Sequence, residues 1–140
     1  MGKIPSTKAW NNFVMSDLPD RHAASNRYAA AVAKGYMNGA LSGGINSFLT
    51  NNWELDAQEV LDALRSLGAV NAASELAFIL EKIGIPLPQS SQEERWRQLE
   101  THWQSSLNEI DFLTNKSEQE LMKKLEIHVA DNENFYLGLE

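Results

Sequence analysis

Histidines, a serine set among glycines and two rows of carboxylates are where chemistry could be sought in this 140-residue chain, which contains no cysteine. Without a thiolate there is no disulfide framework, no thiolate zinc site and no cysteine nucleophile. His22, His102 and His128 would therefore have to carry any acid–base or metal work. Three residues before them stand Pro19, Leu99 and Leu125, and four before stand Leu18, Gln98 and Lys124. No Glu-x-x-His or His-Glu-x-x-His pair thus places two ligands on one helical face. Glu100 and Glu126 each precede a histidine by two, a spacing that points side chains apart on a helix. Ser42 lies in Gly39-Ala40-Leu41-Ser42-Gly43, which lacks the residue order of a nucleophile elbow and has no strand before it. Gly35, Gly39 and Gly43 recur without the Lys-Ser or Lys-Thr of a phosphate-cradling loop. The expectation is a non-enzymatic protein with no metal and no cofactor.

What remains is polar and acidic. Around Gly43-Gly44, where one helical pattern stops and another starts, Asn38, Ser42, Asn46, Ser47 and Asn51 crowd together. Glycine relieves the steric bar to positive φ, so the pair permits a sharp reversal between two helices. The free N–H groups at the start of the second helix would form a polar nook for an anion or a backbone carbonyl. The carboxylates form one row at Asp56, Glu59 and Asp62 and a looser one at Glu93, Glu94, Glu100 and Glu109.

Net charge is −7, unevenly spread: five bases face two acids in residues 1–49, two face six in 50–90 and five face eleven in 91–140. Such a surplus repels phosphates, which argues against direct nucleic-acid binding and favours a basic protein partner. No apolar segment is long enough to cross a bilayer, so a cytoplasmic protein without membrane association is expected.

The elements that must position these groups read as helices throughout, with no alternating β pattern. The expected architecture is all-α, a compact bundle of six to seven helices in one domain, with residues 1–19 as a docking arm and 21–137 as the core. Pro5-Ser6 opens a short helix with Trp10, Phe13 and Val14 on one face, and Asp17-Leu18-Pro19-Asp20 stops it. A helix rich in alanine and glycine follows from Arg21 to about Leu41, then a short one with Ile45, Phe48 and Leu49. Asp56 caps a helix carrying Val60, Leu61, Leu64 and Leu67, and Gly68 closes it into a hairpin with a largely buried helix that includes Phe78 and Ile79. Ser91 opens a capping box, after which Trp96, Leu99, Trp103, Leu107, Ile110 and Leu113 predict the longest clean amphipathic helix, with both tryptophans in the core. Ser117-Glu118-Gln119-Glu120 predicts a second capping box, ahead of a helix with Leu121, Leu125, His128, Val129 and Phe135 inward.

The Gly-Gly stretch resembles a known family. Ser42-Gly43-Gly44-Ile45-Asn46-Ser47-Phe48-Leu49-Thr50-Asn51, together with Leu67-Gly68-Ala69, follows the outline of the DNA-mimic-protein-like domain of unknown function over about residues 25–137. Ser42 and Ser47 stand where its members carry Asn and Gln. The resemblance implies an acidic, dimeric, all-helical protein that imitates DNA and occupies a DNA-binding regulator. A mimic must array carboxylates at phosphate-like density, and helical residues three or four apart stand about 5–6 Å apart. Arg65, Lys82, Arg95, Arg97, Lys123 and Lys124 interrupt the acidic surface.

The expected function is a protein-binding module that meets a basic protein through its acidic later helices, and the resemblance implies that this partner is a DNA-binding regulator. One rival is a small-ligand or hydrolytic site at the Gly43-Gly44 turn, using Asn38, Asn46 and Asn51 with Tyr36 or His128. The other is an immunity-type protein that neutralises a toxin.

Overall fold

In a computed structural model, which describes residues 4–16, 25–51, 55–84 and 91–139, the chain is all-α, and no strand occurs among the described residues. The helices are α1 (Thr7–Met15), α2 (Ser25–Asn51), α3 (Ala57–Ser66), α4 (Val70–Ile83) and α5 (Gln92–His102). A 3-10 helix (Ser105–Ile110), α6 (Asn115–Asp131) and the short α7 (Glu133–Tyr136) complete the chain. The helix stops expected at Asp17–Asp20, the start at Arg21, His22, Asn52, Trp53 and the connector 85–90 lie outside the described residues.

The 27 residues of α2 are the centre of the bundle, in contact with α3, α5 and α6, and they do not form one rod. Gly44 has φ 94° and ψ 174°, a break inside the helix. A straight helix would separate residues 39 and 48 by about 13.5 Å. Instead a Cβ placed on Gly39 would stand 3.1 Å from Cβ of Phe48, so the two arms of α2 fold against each other. Tyr36 and Phe48 pack edge to face across the fold, with ring centroids 5.0 Å apart. The expected reversal is present, and Gly44 alone, rather than the glycine pair, takes positive φ.

One core runs through the molecule, built from the small residues of α2 and the stripes of the other helices: Val60, Leu61 and Leu64 of α3, Leu76 and Ile79 of α4, Leu121, Leu125 and Val129 of α6. Gly68, at φ 80°, makes the tight junction between α3 and α4. The arm α1 docks on α6 and α7 by burying Ala9 and Phe13. Its C-terminal carbonyls are held by Lys34 of α2, whose Nζ donates to the carbonyl oxygens of Phe13 (2.8 Å) and Ser16 (2.7 Å). A buried ammonium is tolerated there because the end of a helix presents unsatisfied acceptors and a partial negative charge.

Four expectations are corrected. The amphipathic stretch 96–113 is not one helix: Trp103 takes ψ 125°, α5 stops at His102, and a 3-10 turn re-aims the chain. The cap of α6 is Thr114, whose Oγ1 accepts from the N–H of Ser117, so Ser117 is a buried first-turn residue. At the C-terminus Tyr136 turns inward while Phe135 stays exposed under the Arg27 guanidinium, 3.8 Å above its ring. On α4, Phe78 and Val70 face outward, so that helix is less enclosed than its composition suggests.

Candidate functional site

The break at Gly44 frees the first N–H groups of the second arm of α2, as at the start of any helix. The chain itself supplies the anion. The carboxylate of Asp111, just beyond the 3-10 helix, accepts the Asn46 N–H through Oδ1 at 2.7 Å, and the Ile45 N–H also bonds to it. Aspartate is a preferred helix cap, usually from the adjoining residue; here it arrives from 65 positions away. Burial pushes the Asp111 carboxyl up from its ordinary value, and the backbone bonds from Asn46 and Ile45 oppose that rise. A Cβ on Gly44 would lie 2.5 Å from the Asp111 carbonyl oxygen and 2.9 Å from its Oδ2, so glycine is demanded by space as well as by φ.

The other polar residues of this stretch are engaged locally. Ser42 Oγ donates to the Asn38 carbonyl one turn back, Thr50 Oγ1 to Asn46 Oδ1, and Asn51 Nδ2 to Ser47 Oγ. Asn38, Ser42, Gly43 and Asn51 are exposed, Asn46 and Ser47 half-buried, and Gly44 buried. They form an outward strip along the hinge whose anion-binding nook is filled by Asp111. The titratable groups of the hydrolytic alternative sit in apolar or self-contained settings. Tyr36 is fully buried, and its phenol is raised well above the usual range by burial, with the Glu75 and Asp111 carboxylates adding to the rise. His128 is buried beneath α1, its Nε2 2.8 Å from the Tyr136 hydroxyl, and burial, helped by Arg27 and opposed by Asp131, lowers its pKa. No group of three or more metal-ligating side chains occurs among the described residues.

The two rows of carboxylates have different surroundings. On α3, Asp56 is the N-cap and accepts from Gln58 N–H at 3.1 Å. Glu59 completes the capping box through Oε1 and accepts the Tyr28 hydroxyl at 2.6 Å through Oε2. Only Asp62 of that row is exposed, and it accepts from Gln58 Nε2. On α5 and the 3-10 helix, Glu93, Glu100 and Glu109 are exposed and Glu94 is half-buried. Ser91 caps α5 as expected, its Oγ accepting from Glu94 N–H.

Arg95 changes the electrostatics of this second face. It is completely buried, and its guanidinium donates to the carbonyl oxygens of Leu49 and Leu55, tying α5 to the end of α2 and the approach to α3. Burial lowers its pKa, offset by the Asp56 carboxylate. One of the two bases of α5 is thereby withdrawn from the surface, leaving Arg97 among the outward glutamates. The one signal in the sequence that separates Arg95 from Arg97 is that 95 stands one helical turn before the buried Leu99 and 97 does not.

A family model described as DMP19-like protein matches residues 24–132. The chain belongs to the DMP19-like family. The match spans the hinge, both carboxylate rows and α6, and it bears out the resemblance carried by the Gly-Gly stretch. No curated protein and no solved structure matches the chain. No helix among the described residues is long and apolar enough to cross a membrane.

Proposed function

We propose that this DMP19-like protein is a non-enzymatic, cytoplasmic binding module that imitates DNA, occupying a basic DNA-binding regulator through α5 and the 3-10 helix. What supports the reading is the division of charge on α5: Glu93 and Glu100, with Glu109 beyond them, point to solvent while Arg95 is buried. That face is more negative than its composition, and the family takes its name from a DNA mimic. Glu93 and Glu100, seven residues apart, stand about 10.5 Å apart along the helix, so they present separated negative charges to a positive groove rather than a row at the density of adjacent phosphates. Self-association into a dimer, which the resemblance implies, would extend the negative surface across two copies.

The test is displacement. Purified basic DNA-binding regulators carrying a fluorescein-labelled duplex are mixed with the protein at low ionic strength. Release of the duplex from at least one of them is expected, with an apparent affinity that falls as salt is raised. No release from any regulator at low ionic strength would sink the reading.

A further inference from the structure

Glu93, Trp96, Glu100 and Trp103 follow one another at steps of three, four and three, so they lie along a single stripe of α5 and its C-cap. The sequence places both tryptophans in the core. In the fold Trp96 is 46% exposed and Trp103 only half-buried. Between them opens a cleft of about 330 Å³, floored by Leu99 and lined further by Glu100, Asn46 and Thr50.

Both indoles are fixed by their polar edges. Trp96 Nε1 donates to the Thr50 carbonyl at 2.7 Å, and Trp103 Nε1 to Asn108 Oδ1 at 2.9 Å. Their N–H groups are thereby spent inside the protein, so a ligand in the cleft can draw on the two rings only through their aromatic carbon surface. Such a face attracts cations, most strongly for tryptophan. The described residues of the lining include one charged group, the Glu100 carboxylate, and no lysine or arginine. Two immobilised rings and a carboxylate form a site that takes a flat cation able to stack and to hydrogen-bond at once. Arginine does both, whereas lysine is a compact, more strongly hydrated charge. Ordered tryptophans also lose little entropy when a partner is bound, which is one reason they recur as anchors of interfaces.

We propose that the cleft between Trp96 and Trp103 receives an arginine side chain of the basic protein partner, its guanidinium stacked on indole and paired with Glu100. The proposal rests on the reading of this chain as a binder of basic proteins and names where specificity resides: imitation of phosphates by Glu93 and Glu109, and an aromatic socket that a phosphate backbone does not offer.

The test uses a fluorescein-labelled peptide of alternating arginine and serine, a lysine–serine counterpart, and tetramethylammonium as a small cation, read by polarisation and tryptophan fluorescence. The arginine peptide is expected to bind more tightly than the lysine peptide and to perturb the indole emission. Glu100→Gln, a surface change that leaves the fold intact, should weaken it about tenfold, and Trp96→Leu by a similar factor. Asp62→Asn, which removes an equal charge from α3, should weaken it less than about twofold, as expected of charge alone. Equal losses from Glu100→Gln and Asp62→Asn would overturn the proposal, as would arginine and lysine peptides of equal affinity. So would emission changes produced by tetramethylammonium as readily as by the peptide. The two readings separate in the displacement assay. If the Glu100→Gln and Trp96→Leu proteins release DNA from a regulator as well as the unaltered protein does, the socket fails and mimicry stands. If nothing is released while the arginine peptide still depends on both residues, mimicry fails and the socket stands.

Discussion

Helix α3 and helix α5 each carry several carboxylates at helical spacing, and the fold uses them in opposite ways. On α3, Asp56 and Glu59 are consumed by the helix start and by Tyr28. On α5, the helix start takes the Ser91 hydroxyl instead, and Glu93 and Glu100 are left to solvent. The difference lies in which residue occupies the cap. When the cap is an aspartate in a reciprocal box, two negative charges become part of the scaffold; on α5 the cap is an uncharged serine, and Glu93 and Glu100 stay exposed. A count of acidic residues therefore overstates the binding surface on one helix, and the burial of Arg95 understates it on the other.

That contrast between structural and free carboxylates can be broken or sharpened by substitution, starting where the effect is greatest. Gly44→Ala forces a Cβ against the Asp111 carbonyl, at 2.5 Å, and a side chain into φ 94°. Overpacking and positive φ each cost on the order of 1–3 kcal/mol, so a loss of about 3 kcal/mol is expected in a denaturant melt. A loss below about 1 kcal/mol would mean that the hinge is not held by Asp111. Next comes Asp56→Ala, which removes a cap and should lower stability by about 1 kcal/mol. An unchanged melt would place Asp56 with the free carboxylates and erase the contrast.

Asp111 sharpens the comparison through pH. Its pKa is raised in the fold, so the carboxyl is more readily protonated there than in the unfolded chain. The contribution is most favourable below the unfolded value near 3.9 and is lost as pH rises through the raised folded value. Asp111→Asn keeps an oxygen for the Asn46 N–H and has no such titration. At neutral pH it should therefore match or exceed the wild-type stability, and the difference should shrink as the pH approaches 4. A loss at neutral pH as large as that of Asp111→Ala would show that the negative charge, rather than the acceptor oxygen, closes the hinge. The smallest expected change in stability belongs to Glu93→Gln and Glu109→Gln, within about 0.5 kcal/mol. Each should nevertheless flatten the salt dependence of duplex release from the regulator, and an unaltered salt slope would remove that residue from the binding face.

Much of this architecture was legible in the residues. The stripes of α3, α4 and α6 recur where their three- and four-residue steps place them, Ser91 and Asp56 cap the helices they precede, and the reversal falls at the Gly43-Gly44 pair. What the sequence could not show was the end of α5. Trp96 through Leu113 keeps a helical period without interruption, because a 3-10 turn repeats every three residues and an α-helix nearly every four. The break at Trp103 is not written in that period, and with it go the partial exposure of the tryptophans and the return of Asp111 to the hinge. The same cause hid the socket: a tryptophan on an amphipathic stripe reads as core unless one knows where the stripe ends.

The union of Asp111 with the Asn46 N–H also has a consequence for how the chain is made. Synthesis proceeds from the N-terminus, and the group that completes the bend is 65 residues downstream of the amide it satisfies. A chain still emerging from the ribosome cannot satisfy that amide with Asp111 until the far segment has been translated. The bend in α2 is thus completed by a group made 65 residues after the amide it satisfies.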